Sequence, residues 1–252
     1  MMRSATAGAL QQMRQSVSRP YPVPMQLFAL LAIVPFYIFI GKFSQGRTIY
    51  SPELALDQVI PLLPVWSLIY GALYWFLIIL PVFIVREREH VRRMFSAYLA
   101  VWLIAYVFFL LYPTRAPRPP DAVGEGFAWW GLQSLYDMDP PYNCLPSIHV
   151  AHSFVSAFAC YGVHRKVGIF AAFCAVLVAL STLFTKQHYV LDLVGGILLA
   201  SLCYFLFMHR YPREEVPEHD KRLAPTFAGC IFAVAIFSIF GAWVVYQFQD
   251  AF

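Results

Sequence analysis

Long apolar runs, separated by short charged or proline-rich joints, dominate the chain. Seven of them, at roughly 24–41, 62–85, 95–112, 147–163, 167–184, 190–208 and 223–247, approach the about 17–25 residues that cross a bilayer as a helix. The fourth, fifth and sixth are at the short end, which suits helices packed inside a bundle and shielded from lipid by the others. No internal repeat and no low-complexity tract interrupts the series. The joint between the third and fourth runs holds a different pattern. There Phe127, Trp129, Trp130, Leu132, Leu135 and Tyr136 stand among acidic residues and glycines, as in a short amphipathic helix lying in the membrane interface. Its favoured role is that of an aromatic belt anchor, with substrate contact as the other reading.

Composition sharpens this picture. Of 252 residues, 60% are hydrophobic and only 13% charged, where a soluble domain carries about 25% charged residues. The expected fold is all-α, a polytopic transmembrane helical bundle. Residues 24–247 are expected to form one membrane-embedded domain, preceded by a cytoplasmic or interfacial segment (1–23) and followed by a short tail (248–252). The first twenty residues hold Arg3, Arg14 and Arg19 but no sustained apolar core, so they do not read as a cleavable signal peptide. Pro20, Pro22 and Pro24 stiffen the entry to the first span. Four of the five cysteines lie in apolar runs and only Cys144 in a loop, so no disulfide framework is expected. No basic block interleaved with aromatics points to nucleic acid.

The cations sort by side. Arg3, Arg14, Arg19, Arg86, Arg88, Arg92, Arg93, Arg165, Lys166, Arg210, Arg213, Lys221 and Arg222 fall on one face of the membrane, and Lys42, Arg47, Arg115, Arg118 and Lys186 on the other. The richer face is expected to be cytoplasmic. The N-terminus is then inside, and the long 113–146 loop faces the periplasm, the exterior or a lumen.

Three polar stations emerge on that outer face. Y-P-T-R-A-P-R-P-P (112–120) holds Arg115 and Arg118 in a proline-stiffened turn, and guanidinium groups bind phosphate oxygens in pairs. N-C-L-P-S-I-H-V-A-H-S (143–153) opens the fourth span. Ser147 is its expected N-cap, and the helix N-terminus is a ready anion site. His149 lies in that first turn, and His152, one turn deeper, reads as a packing residue. S-T-L-F-T-K-Q-H-Y-V-L-D (181–192) joins the fifth and sixth spans. With Asp192 on the first turn of the next helix, His188 and Asp192 share a face.

Such a set supports two-step phosphoryl transfer. His188 attacks phosphorus, Asp192 holds its other ring nitrogen, and His149 gives a proton to the leaving oxygen. Arg115, Arg118, Lys186 and the helix start at Ser147 hold the phosphate oxygens. Water as second nucleophile makes a phosphatase, an alcohol acceptor a transferase, and neither needs a metal or cofactor. A zinc site of His188, Asp192 and His149 is the competing reading, opposed by the clustered cations. A transporter or channel with a His/Asp proton relay is the non-enzymatic one.

P-S-I-H at 146–149 resembles the P-S-x-H motif of the type 2 phosphatidic acid phosphatase superfamily. The 181–192 stretch resembles its S-R-x5-H-x3-D motif, and Arg118-Pro119 the R-P end of its first motif. The resemblance implies a six-helix phosphatase-type core, here with a seventh span, acting on a lipid phosphoester by a phosphohistidine mechanism. It matches His188 to the nucleophile, Asp192 to its orienting acid and His149 to the general acid. It matches Ser147, Arg118 and Ser181 to the phosphate site. Two family cations are replaced, by Leu111 and Thr182, and Arg115 and Lys186 are the candidate substitutes. These losses, with H-Y-V-L-D-L-V-G-G, look more like the inositol phosphorylceramide synthase and sphingomyelin synthase branch, where a phospho-headgroup passes between lipids.

Overall fold

The computed structural model describes Arg14 and residues 18–248. The 248–252 tail, apart from Phe248, and most of the 1–23 segment lie outside the described residues. The first apolar run forms two nine-residue helices, α1 (Met25–Ile33) and α2 (Phe36–Ser44). The break falls at Pro35, which lacks an N–H and crowds the preceding turn. A short α3 (Ala55–Val59) leads into α4 (Trp66–Ile84) and α5 (Arg88–Leu111). The long joint carries α6 (Phe127–Met138), the amphipathic helix expected there. Then come α7 (Ile148–Val163), α8 (Arg165–Phe184), α9 (Val190–Cys203) with a π-helical extension to Met208, and α10 (Glu218–Phe248).

Each of the seven apolar runs is therefore helical. The described residues contain no strand, only isolated bridges between Tyr50 and Thr114 and between Arg115 and Tyr142. Among the described residues, six spans, counting α1 and α2 as one, are long and apolar enough to cross a membrane, and α7, at 16 residues, is shorter. Of the three runs expected at the short end, the fourth gives the 16-residue α7 and the sixth keeps its expected 190–208 bounds at 19 residues. Helix α8 reaches 20 residues because it starts at charged Arg165, directly after His164; hydropathy alone leaves those charges out.

Helix α7 is the hub, packed against α4, α5, α8 and α9. Its buried face is made of small residues, among them Ala151, Ser153, Ser156, Ala157, Ala159 and Cys160. In a bilayer, apolar surface gains little by leaving lipid, so helices associate through close packing of this kind. The serines are satisfied locally. Ser153 Oγ donates to the His149 carbonyl (2.8 Å) and Ser156 Oγ to that of His152 (3.0 Å). Phe76, Leu77 and Leu80 of α4, Val101 and Phe109 of α5, and Val155 of α7 are fully buried around this hub. Helix α10 runs along α4 and leaves most of its apolar surface unburied. It is an outer, seventh span on a six-helix core.

Candidate active site

Three chain segments are clipped together at the N-terminal end of α7. Thr114 Oγ1 accepts hydrogen bonds from the backbone N–H groups of Cys144 (3.0 Å) and Leu145 (3.1 Å), fixing the joint after α5 to the entry of α7. Ser147 is the N-cap of α7, as its sequence position predicts, and its Oγ accepts from Val150 N at 3.3 Å. Its own N–H donates to the Asp192 carbonyl (3.0 Å), which ties α7 to the first turn of α9. The approach depends on Gly196. A Cβ there would stand 2.7 Å from the Ser147 carbonyl oxygen and 3.0 Å from Val150 Cβ.

His188 lies just ahead of the α9 N-cap, Tyr189, rather than on the helix face. Asp192, at the third helical position, reaches back to it. Its Oδ2 accepts from Tyr189 N (2.9 Å), a helix-capping bond, and faces His188 Nδ1 at 3.2 Å. One carboxylate thus starts the helix and orients the imidazole. The turn carrying His188 is closed by the Thr182 carbonyl, which accepts from Gln187 N (2.9 Å) and His188 N (3.2 Å). His188 Nε2 points the other way, 3.0 Å from Ser147 Oγ and 3.5 Å from His149 Nδ1. With Nδ1–H directed at Asp192, Nε2 carries the free lone pair. The His149 ring packs edge-on against Tyr70 and Tyr74 of α4, at centroid distances of 5.8 and 5.2 Å. Asp192 is fully buried, and its Oδ1 has no partner among the described residues.

His188, His149, Asp192 and Ser147 therefore meet, and the other predicted residues are placed differently. The Arg118 guanidinium donates to the carbonyls of Tyr136 (3.1 Å) and Asp139 (2.6 Å) at the end of α6 and to Gln187 Oε1, and lies 4.3 Å over the Tyr136 ring. Burial lowers its pKa, against the opposing pull of Asp139. Lys186 Nζ donates to the carbonyls of Asp57 (3.1 Å) and Ile60 (2.6 Å), closing the C-terminus of α3. Both cations brace the wall of the site. Arg115 is exposed, and its backbone bridges Tyr50 and Tyr142. Ser181 is buried, with its Oγ on the Leu177 carbonyl of its own helix (2.7 Å). Thr182 is buried likewise, on Ala179 (2.7 Å). His152 is a packing residue, stacked on Tyr98 at 4.1 Å.

Sequence reasoning missed Asp57 and Gln187. Asp57 accepts from Leu54 N and Val190 N, both at 2.8 Å, and so joins α3 to the start of α9. Its only signal is a lone acid at the end of the apolar stretch L-A-L-D. Tyr70 and Tyr74 were missed as well, although their i, i+4 spacing on one span is a signal that could have found them. Helix α6 is more than an anchor. Phe127 and Trp130 meet Tyr246 of α10, while the Tyr136 hydroxyl donates to the Thr185 carbonyl (2.7 Å) beside the histidine turn. Cys144 is also buried here. Burial first, then the Asp192 carboxylate, holds its thiol well above the ordinary range.

Comparison with known proteins bears on the family of the chain. A PA-phosphatase related-family protein of Dictyostelium discoideum is 22% identical over 157 residues, covering 58% of this chain and 27% of the relative. The match thus spans about a quarter of that protein's length. No solved structure matches the chain. Residues 51–206, which include the three stations and the whole hub, match the PAP2 superfamily. On that match, over more than half its length, the chain belongs to the PAP2 superfamily.

Proposed function

We propose that this protein is an integral membrane enzyme acting on a lipid phosphoester through a phosphohistidine intermediate. The observation that carries the reading is the His188 imidazole, held at Nδ1 by Asp192 and presenting Nε2 to Ser147 and His149. The incoming phosphoryl group displaces the two contacts on Nε2 and takes them onto its own oxygens. The Nε2 lone pair forms the P–N bond as the bond from phosphorus to the leaving oxygen breaks, and His149 gives that oxygen its proton. The charge gained by the imidazole is stabilised by Asp192. His149 then takes a proton from water or an alcohol, whose oxygen attacks phosphorus and breaks the P–N bond. The N-terminus of α7 at Ser147 supplies positive potential to the phosphate oxygens.

The supply of free cations favours transfer of a phospho-headgroup to an alcohol acceptor over phosphomonoester hydrolysis. Leu111 is exposed at 75%, Thr182 is fully buried, and Lys186 and Arg118 are committed to carbonyls. A phosphodiester, carrying one charge, needs fewer cations than a monoester. This supports the resemblance to the inositol phosphorylceramide and sphingomyelin synthase branch. The cation asymmetry of the loops supports a reacting end on the non-cytoplasmic face. A proton-relay transporter draws less support, since the His–Asp pair sits at helix ends rather than on a broken helix at mid-membrane.

The deciding experiment is product analysis from labelled phospholipids, with and without acceptor alcohols. Headgroup transfer that needs the acceptor supports the synthase, and free phosphate from a phosphomonoester supports the phosphatase. Proton flux with no lipid product contradicts both.

A further inference from the structure

The histidine cluster has a second chemical capacity. Cys144 Sγ, a ring nitrogen of His188 and a carboxylate oxygen of Asp192 lie within 4.8 Å of one another. All three side chains are more than nine-tenths buried, with 2%, 5% and 0% exposure. Thiolate, imidazole and carboxylate are the donors of three-ligand zinc sites, which leave the fourth position to water. Bond lengths of about 2.0–2.3 Å set tetrahedral ligand atoms roughly 3.3–3.6 Å apart, so side-chain adjustments of about 1 Å close this set. Asp192 Oδ1 offers an oxygen with no partner among the described residues. Two of the cations that would oppose a metal here, Arg118 and Lys186, are bound to carbonyl oxygens instead. The trio differs from the His188, Asp192 and His149 set expected from sequence, because the loop clipped by Thr114 brings Cys144 in. The phosphohistidine reaction makes no use of Cys144.

We propose that Cys144, His188 and Asp192 bind zinc, and that the bound ion inhibits the enzyme by capturing the imidazole. Zinc is here an inhibitor and not a cofactor. Binding stands on the geometry alone; inhibition rests on the reading of His188 as nucleophile.

The test is zinc titration of the purified, chelator-stripped full chain in detergent, followed by calorimetry, X-ray absorption and lipid turnover. The expected result is one zinc per chain with a single Zn–S bond at about 2.3 Å, and inhibition with the same midpoint. Cys144→Ser, which keeps the side-chain size, and Cys144→Ala both remove the Zn–S bond. Each raises the inhibitory midpoint at least tenfold, measured against that variant's own metal-free rate. Absence of stoichiometric zinc, or unchanged affinity in both variants, overturns the site. Zinc held through Cys144 with turnover undiminished overturns inhibition and, with it, the role of His188.

Discussion

Replacing Asp192 with asparagine separates the charge of this residue from its place in the fold. The carboxylate stands 3.2 Å from His188 Nδ1, and both groups are buried. Once phosphorylated, the imidazole carries a positive charge spread over the ring, at a mean separation of about 4–5 Å. With an effective dielectric constant of about 20, that attraction is roughly 3–4 kcal/mol. It exists only when the ring is charged, so it acts on the chemical step. At about 1.4 kcal/mol per decade, Asp192→Asn lowers kcat by about 10²–10³. The asparagine oxygen still accepts from Tyr189 N, which keeps the cap, worth about 1 kcal/mol. The assay is lipid turnover in detergent beside thermal unfolding of the same preparation. The expected result is a kcat loss of that size, KM within about threefold and Tm within a few degrees. A kcat within about fivefold of the parent, in a folded variant, refutes the electrostatic argument.

Three further outcomes follow from the same geometry. Lys186→Ala removes two ammonium–carbonyl bonds and should cost about 1–3 kcal/mol of stability with KM unchanged. Arg115→Ala removes a candidate phosphate ligand whose exposed side chain no carbonyl holds among the described residues, and should raise KM with stability unchanged. Melting curves and steady-state kinetics of the pair separate the two roles, and the reverse pattern sinks the assignment. Gly196→Ala puts a methyl 2.7 Å from the Ser147 carbonyl. Overpacking of that kind costs roughly 1–3 kcal/mol, and turnover should fall at least tenfold; parent-like stability and turnover would show that α9 yields freely. His149→Ala should abolish turnover with Tm retained, and measurable multiple turnover in this variant removes it as proton donor.

The spans were legible because an apolar run of bilayer length has few other solutions, and the break at Pro35 and the charged start of α8 are the details that hydropathy blurs. Ser147, His149, His188 and Asp192 were legible because each is set by spacing along one short stretch. The partners of Lys186 and Arg118 were not. The carbonyls that hold Lys186 lie 126 and 129 residues away in the chain. Backbone acceptors also carry no side-chain signal, so a lysine beside a histidine reads as a phosphate ligand. Asp57 and Cys144 escaped for a related reason, since each reaches the site only after loops close over it.

The central claim is a covalent bond between phosphorus and His188. It is tested by quenching a single turnover with alkali, in which phosphohistidine survives, and mapping the modified peptide by mass spectrometry. The account predicts a phosphoryl or phospho-headgroup adduct on His188 that forms and decays within the turnover and is absent from His188→Ala. Product formation with no adduct, or an adduct on His149 instead, would contradict it.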